Sequence, residues 1–176
     1  MIIIMMGICG SGKTTLGRLL AQRLDVPFIE GDDYHTRENV AKMAAGQPLS
    51  DADRWPWLHR LGEAMAQWAA AGQDTVVSCS ALRRDYRALL REAAPDVRFV
   101  YLEGAVDLVR ERMAHREGHF MPIALIDSQI AALEDPRGEP GVIAIDVAKA
   151  PETLASDIIK VLGAPPPREN RDAPVQ

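Results

Sequence analysis

The first part of the chain contains a glycine-rich segment of the kind that binds phosphate groups. Residues 7–14 read Gly-Ile-Cys-Gly-Ser-Gly-Lys-Thr and match the pattern G-x-x-x-x-G-K-[ST]. Glycines let such a loop wrap tightly, so that backbone N–H groups point inward at an anion, and the positive end of a following helix adds to the attraction. The segment therefore predicts a site for the phosphates of a nucleoside triphosphate.

Separate roles are predicted for the side chains of this segment. Lys13 is expected to bridge the β- and γ-phosphates of ATP, and the Thr14 hydroxyl is expected to coordinate Mg²⁺. The other predicted nucleotide contacts are Gly7, Gly10, Ser11, Gly12 and Thr15. The alternative is a glycine turn that precedes Lys-Thr by chance, and the apolar run before it and amphipathic run after it disfavour that alternative. The motif alone leaves the reaction open, because motors, GTPases and kinases share it.

Apolar runs alternate with helical patterns along most of the chain. The predicted strands span residues 1–6, 27–30, 75–79, 97–102 and 141–146, and the predicted helices span 14–24, 37–45, 57–71, 83–94, 106–115 and 151–162. This alternation predicts an α/β protein, a three-layer α/β/α sandwich with a mainly parallel sheet. Residues 1–162 are expected to form a single domain, and residues 163–176, rich in proline and charge, a disordered tail.

Composition and charge limit the classes of partner. Apolar residues make up 47% of the 176 residues and charged residues 26%, which is typical of a soluble globular protein. No run of 18 apolar residues occurs, so no membrane partner is expected. The net charge of −5 disfavours nonspecific binding to nucleic acid. An apolar start without a basic flank or cleavage site, and only two cysteines, predict a cytoplasmic protein.

Six segments beyond the glycine-rich one form a second, more specific pattern. They are residues 31–35 (Gly-Asp-Asp-Tyr-His), 39–43 (Asn-Val-Ala-Lys-Met), 46–54 (Gly-Gln-Pro-Leu-Ser-Asp-Ala-Asp-Arg), 56–58 (Pro-Trp-Leu), 79–87 (Cys-Ser-Ala-Leu-Arg-Arg-Asp-Tyr-Arg) and 116–120 (Arg-Glu-Gly-His-Phe). Together they resemble the bacterial-type gluconate kinases, within the group that includes nucleoside monophosphate and shikimate kinases. The resemblance extends from Met6 to about Leu162.

This resemblance implies a fold and an activity. The fold would be that of a P-loop nucleoside monophosphate kinase, with a small lid at about residues 110–125. The activity would be transfer of the γ-phosphate of ATP to the 6-hydroxyl of D-gluconate, with Mg²⁺, by a homodimer. Two departures from the family are Glu30, where an aspartate is common, and Arg83-Arg84, where two lysines are common. The arginines keep the charge and gain bidentate capacity for a carboxylate or phosphate.

The acceptor site is predicted from residues that follow the second and third strands, where ligands gather in open α/β sheets. The resemblance implies that Asp32 is the base or orienter of the acceptor hydroxyl; the alternative is a helix N-cap, for which Asp33 is the better candidate. His35 is expected to bind the acceptor, or otherwise to lie on a polar loop. Arg54 and Arg83 are candidates to bind the acceptor carboxylate together with Arg84, with Arg83 preferred and a surface ion pair as the alternative for Arg54.

Two further arginines, Arg112 and Arg116, resemble lid residues that close over ATP, and Arg116 is assigned a catalytic role. Their like charges at helical spacing disfavour an isolated helix, a cost that a phosphate chain between them would offset. An exposed, charged helix is the alternative. No acidic residue ends the third strand, so a carboxylate for metal-bound water would come from Glu30 or Asp32 or would be missing. A kinase for another small acceptor, such as shikimate, and a nucleotide-binding regulator remain alternative functions.

Overall fold

A parallel sheet forms the centre of the protein. The computed structural model describes residues 1–104 and 123–163. Its strands are β1 (Ile2–Met6), β2 (Phe28–Glu30), β3 (Thr75–Ser78), β4 (Arg98–Glu103) and β5 (Val142–Asp146), and they are all parallel in the order β2-β3-β1-β4-β5. The strand that precedes the glycine-rich segment is therefore the middle one, and the predicted parallel sheet is confirmed.

Helices cover both faces of this sheet. They are α1 (Lys13–Leu24), α2 (Arg37–Ala44), α3 (Asp51–Ala70), α4 (Arg84–Ala93), α5 (Ile123–Ala132) and α6 (Pro151–Leu162), with a 3₁₀ helix at Gly31–Tyr34. Side chains of β1 alternate between the faces because successive strand residues point in opposite directions. Ile3 and Met5 pack with α1 and α6, whereas Ile4 and Met6 pack with α3 and α4. The predicted α/β/α sandwich is thus confirmed.

Two helices differ from the sequence-based prediction. Helix α3 begins at Asp51 and not at residue 57, because Ser50 and Asp53 form a capping box and the helix continues through Pro56. Helix α5 was not predicted. Seven of its ten residues are apolar, so no single stripe marks a helical face. The predicted helix at 106–115 lies outside the described residues, and the other boundaries differ from those predicted by about one residue.

Helix α5 contributes to the site even though its sequence signal is weak. Ile126 is buried with Ile8 and Leu82, which belong to the loops after β1 and β3. The helix therefore packs against two loops that begin at the same edge of the sheet, where β1 and β3 end. Within the described residues, no helix combines the length and the apolar character needed to cross a bilayer.

Candidate active site

The glycine-rich segment forms a tight loop between β1 and α1. Gly7, Gly10 and Gly12 have φ angles of 140°, 81° and 94°, a region that residues with a Cβ rarely adopt. Gly12 is the N-cap of α1, and no side chain caps this helix end. An uncapped helix N-terminus presents backbone N–H groups to an anion. The strand, loop and helix context that the motif requires is present.

Helix α5 and the loop after β3 hold this segment in place. The Cys9 N–H donates to Gln129 Oε1 at 2.7 Å, and the Gly7 N–H donates to the Ser80 carbonyl at 3.3 Å. Lys13 Nζ donates to the Ile8 carbonyl at 3.0 Å, so the lysine side chain folds back over the loop. The loop is therefore fixed from two sides, and the Lys13 ammonium group lies against the loop backbone.

The loop forms one wall of a cavity of about 1070 Å³. The acidic turn after β2 and helix α2 form another part of the lining, and the β5–α6 connection and the start of α6 a third. No binding role was predicted from the sequence for helix α2 or for the β5–α6 region. Their lining residues are Val40, Met43 and Ala44 from α2, and Val147, Lys149, Pro151 and Leu154 from the β5–α6 region.

A hydrogen-bonded group joins two residues that line the cavity, Thr14 and Glu30, to Ser78 on β3. Thr14 Oγ1 donates to Glu30 Oε2 at 2.9 Å, and Ser78 Oγ donates to Glu30 Oε1. Glu30 and Ser78 are paired in register on neighbouring strands, which brings their side chains together. Because the Thr14 proton is committed to Glu30, the lone pairs of Thr14 Oγ1 are available to a cation.

Thr14, Glu30 and the glycine-rich loop fit Mg²⁺ and a nucleoside triphosphate. Among residues 1–104 and 123–163, no group of three or more His, Cys, Asp or Glu side chains could hold a metal. Mg²⁺ is usually held through few protein oxygens, substrate phosphates and water, so Thr14 with Glu30 close by matches its preference. In the part of the chain that the structure describes, the buried Ser11 hydroxyl has no hydrogen-bond partner, which leaves a donor in the loop.

Asp32 lies on the turn that directly follows β2 and lines the same cavity as Lys13. The turn lies tightly against β3, since a Cβ on Gly31 would lie 2.0 Å from the Ser78 carbonyl oxygen. The Asp32 side chain is 63% exposed, towards the cavity. Loss of hydration among the surrounding protein atoms raises the pKa of its carboxyl, Lys13 opposes that rise, and Asp33 adds to it. The two acids do not cap α2, whose N-cap is Thr36, so the helix-cap alternative is wrong for both.

His35 is part of a buried stack and not of a polar loop. Its side chain is 3% exposed, its ring lies 4.1 Å from the ring of Trp57, and Trp57 Nε1 donates to the Gly31 carbonyl at 2.7 Å. His35 Nε2 lies 3.8 Å from Asp32 Oδ1, and Asn39 Nδ2 lies 3.3 Å from His35 Nδ1. Burial, followed by the positive charge of Arg54, lowers the pKa of His35 to about 4, so the ring is neutral at physiological pH.

Arg54 and Arg83 meet at Asp51. Arg83 Nη1 donates to Asp51 Oδ2 at 2.5 Å, Arg54 Nη1 lies 3.6 Å from Asp51 Oδ1, and the Tyr86 hydroxyl donates to Asp51 Oδ1. The ion pair considered for Arg54 is therefore present and includes Arg83, but it is not a surface pair on the Arg54 side, because the Arg54 side chain is only 12% exposed. The third candidate, Arg84, is 71% exposed and lies 3.5 Å from Glu139. The structure brings the first two arginines together and places the third in a different group.

Arg87 supports the loop that carries Arg83, and its role was missed. The Arg87 side chain is fully buried and donates to the Ala81 carbonyl at 2.8 Å and the Leu82 carbonyl at 3.0 Å. It also pairs with Glu139 at 2.5 and 2.9 Å. Ala81 has a φ of 44°, which is unusual for a residue with a Cβ, so these bonds hold the loop in a strained turn. Because Glu139 is 52 residues away from Arg87 in the sequence, no local pattern predicts this pair.

Arg112 and Arg116 lie outside the described residues, as do residues 110–122 of the predicted lid. Residues 123–125, its last three, belong to the first turn of α5.

A glycine-rich loop on the middle strand of this sheet, with a carboxylate and a lysine facing one cavity, defines a P-loop phosphotransferase fold and site. Known proteins agree. A family model described as an AAA domain matches residues 2–136. A probable gluconokinase from Xenopus tropicalis is 44% identical over 173 residues; the match covers 90% of this chain and 91% of that protein. The chain belongs to the gluconokinase family of P-loop kinases.

Two crystal structures have the same fold with substantial sequence identity. The unliganded structure of a sugar kinase from Janibacter sp. HTCC2649 is 43% identical, with a TM-score of 0.89, and the match covers 94% of this chain and 95% of that one. The structure of a gluconokinase from Sinorhizobium meliloti 1021 is 47% identical, with a TM-score of 0.84, and the match covers 92% and 90%. The predicted family resemblance is therefore confirmed.

Proposed function

We propose that the protein transfers the γ-phosphate of ATP to the 6-hydroxyl of D-gluconate, which gives 6-phospho-D-gluconate and ADP. The observation that carries the proposal is the placement of Asp32 and Lys13 on one cavity, with the phosphate-binding loop on one side and the turn after β2 on the other. Gluconokinase relatives that match nearly the full chain supply the acceptor.

The nucleotide side of the reaction is assigned to the loop and the start of α1. Backbone N–H groups of this segment bind the phosphates, and Lys13 neutralises charge between the β- and γ-phosphates. Its other proposed contacts are those of Gly7, Gly10, Ser11, Gly12 and Thr15. Thr14 is the protein ligand of Mg²⁺, and Glu30 orients the Thr14 hydroxyl. When bound, Mg²⁺ screens the charge of the transferring phosphoryl group.

Asp32 acts on the acceptor hydroxyl. Its carboxylate accepts the hydroxyl proton as a bond forms between the gluconate oxygen and the γ-phosphorus, while the bond from that phosphorus to the β,γ-bridging oxygen breaks. Loss of hydration among the surrounding protein atoms raises the Asp32 pKa, which makes the carboxylate a better proton acceptor. His35 is almost fully buried, and its proposed contact with the acceptor is through Nε2, the ring nitrogen that lies 3.8 Å from Asp32 Oδ1.

Arg83 and Arg54 are proposed to bind the gluconate carboxylate. They already lie beside the Asp51 carboxylate, which pairs with both guanidinium groups. Within the described residues, Arg83 Nε is buried and has no hydrogen-bond partner. Arg112 and Arg116 are proposed to close over ATP from a lid at about residues 110–125. A homodimer, a cytoplasmic location and a dispensable tail at 163–176 complete the proposal.

The test is an acceptor screen with purified protein and Mg²⁺-ATP, with ADP release as the readout. Gluconate, shikimate, a nucleoside monophosphate and a sample without acceptor are compared, and the position of the new phosphate is read by ³¹P-coupled NMR. We expect turnover with gluconate far above the other three, and loss of most of it in Lys13→Ala. Faster turnover of shikimate or a nucleotide would reject the acceptor, and equal ADP release without any acceptor would favour a nucleotide-binding regulator.

A further inference from the structure

Asn39, on α2, joins His35 to the start of α3. It is 3% exposed, and its Nδ2 lies 2.7 Å from the Asp53 carbonyl oxygen and 3.3 Å from His35 Nδ1. A backbone carbonyl can only accept a hydrogen bond, so the atom that faces it must be the amide nitrogen and not the amide oxygen. This contact fixes the orientation of the Asn39 side chain, which otherwise has two possible placements.

The orientation of Asn39 determines where the proton of the neutral His35 ring lies. The amide nitrogen has two N–H donors and no acceptor, and one donor is used by Asp53. The second points at His35 Nδ1, which must then carry a lone pair. A neutral imidazole has one proton, so that proton is on Nε2, the nitrogen 3.8 Å from Asp32 Oδ1.

We propose that Asn39 is a positioning residue that holds His35 in the Nε2–H tautomer, so that His35 donates to the acceptor hydroxyl and leaves the hydroxyl proton to Asp32. This inference rests on the proposed acceptor site at Asp32. The distance of 3.8 Å between Nε2 and Oδ1 is too long for a direct hydrogen bond. It suits two groups that bind one hydroxyl oxygen, each at about 2.8 Å.

The tautomer matters because it assigns the direction of both hydrogen bonds. With the proton on Nε2, the ring can only donate to the hydroxyl oxygen, and the hydroxyl can give its proton only to Asp32. With the proton on Nδ1, Nε2 would be an acceptor and would compete with Asp32 for the hydroxyl proton. The stack on Trp57 fixes the plane of the ring, and Asn39 fixes its protonation.

The first test is the tautomer itself, which is measured without any substrate. Long-range ¹H–¹⁵N correlation spectra of the histidine rings distinguish a bare nitrogen from a protonated one, and comparison with His35→Gln assigns the His35 signal among the four histidines. We expect a bare Nδ1 and a protonated Nε2 in the wild-type protein at neutral pH. A proton on Nδ1 overturns the proposal, whatever the acceptor is.

The second test replaces Asn39 by leucine, which has the same number and branching of side-chain heavy atoms but neither donates nor accepts a hydrogen bond. Asn39→Leu should allow both tautomers and lower kcat for gluconate by about 10-fold to 100-fold, with the KM for ATP little changed. The matched control is Lys42→Met, because Lys42 also ties α2 to Asp53, at 2.6 Å, but does not touch His35. The control should keep the wild-type tautomer and kcat within about twofold. Thermal melts confirm that each variant is folded.

The outcomes separate this inference from the proposed function. If Asn39→Leu keeps both the Nε2–H tautomer and the wild-type kcat, the positioning role is wrong even though gluconate is phosphorylated. An equal loss of kcat in Lys42→Met would also overturn it, because the loss would then come from the docking of α2. If Asn39→Leu does not fold, the wild-type spectrum and Asn39→Asp decide. The carboxylate that this second variant introduces can only accept, so a proton that stays on Nε2 alone would reject the role of Asn39.

Discussion

At the scale of single residues, the proposed site separates two charges that have different tasks. Asp32 lines the cavity of the phosphate-binding loop, whereas Arg83 lies with Arg54 around Asp51 on the loop after β3 and the start of α3. In the proposed function, the substrate carboxylate binds at Arg83 and the reacting hydroxyl binds at Asp32. The two positions should therefore affect different kinetic constants.

Substitutions at Asp32 and Arg83 are expected to separate kcat from KM. Asp32→Asn keeps the size of the side chain but removes the proton acceptor, so kcat should fall by roughly 10²-fold or more with little change in the gluconate KM. Arg83→Ala should raise the gluconate KM strongly, because an unpaired carboxylate is costly to desolvate. Steady-state kinetics measure both. Arg84→Ala is the matched control, since it removes the same charge from an exposed position beside Glu139 and should leave the gluconate KM unchanged.

The buried His35 ring is expected to make stability depend on pH. Its pKa is lowered from 6.5 to about 4 in the folded protein, mainly by burial and then by Arg54, with Asp32 as the nearest carboxylate. Between these values the unfolded chain binds a proton that the folded protein does not, so the free energy of unfolding should rise with pH from about 4 to 6.5. The His35 contribution between pH 5 and pH 7 is about 2 kcal/mol.

Urea unfolding of the wild type and His35→Gln at both pH values measures this term. The variant should show a smaller difference between pH 5 and pH 7 than the wild type. His59→Gln, a change at an exposed histidine of α3, should behave as the wild type does. A variant at position 35 with the full wild-type pH dependence would show that the ring is not held neutral.

At the scale of elements, sequence predicted the parts of the site that are local in the chain. The loop between β1 and α1 was predicted from the sequence, because one motif specifies its glycines, its lysine and the helix that follows. The Ser50 and Asp53 capping box marks the start of α3 in the sequence, although the helix was predicted only from residue 57. The sequence did not predict helix α5 or the pair of Arg87 with Glu139, because both depend on long-range packing and not on a local pattern.

This buried pair is expected to stabilise both the fold and the loop after β3. The Arg87 side chain is fully buried and that of Glu139 is 10% exposed, so Glu139→Gln would leave a guanidinium charge without its counterion. We expect a loss of about 3 kcal/mol in the free energy of unfolding at neutral pH. Because Arg87 binds the Ala81 and Leu82 carbonyls, the gluconate KM should also rise more than the ATP KM.

The pH dependence of this loss has a defined sign. Hydrogen bonds from Arg87, and then from Arg91, outweigh burial and lower the pKa of Glu139 from 4.5 to about 2. The stabilisation is therefore complete above pH 4.5 and is lost as the pH falls towards 2, so wild type and variant should converge in acid. Asp135→Asn is the control, because its pairing with Arg137 is exposed and screened by solvent, and its melting temperature should change little. Equal losses for both variants would contradict the role of burial.

At the scale of the whole molecule, the cavity joins elements that are distant in the sequence. The loop after β1, the turn after β2, helix α2 and the β5–α6 connection all line it. A nucleotide that fills this cavity would contact residues from near the start of the chain, at Cys9, to the last described helix, at Leu154. Binding should therefore stabilise the folded domain as one unit and not only the loop that holds the phosphates.

Thermal unfolding with Mg²⁺-ATP is expected to show this coupling. At a nucleotide concentration of about 100 times Kd, the free energy of unfolding should rise by about 2.7 kcal/mol, which corresponds to roughly 5–10 °C in Tm for a chain of this size. Lys13→Ala should lose most of this shift at the same concentration, while its Tm without nucleotide stays near that of the wild type, because within residues 1–104 and 123–163 the lysine ammonium bonds only to the Ile8 carbonyl. Lys160→Met removes the same charge from an exposed position on α6 and should keep the full shift. A full shift in folded Lys13→Ala would mean that the lysine does not meet the phosphates, and a Tm without nucleotide far below that of the wild type would mean that it holds the loop together.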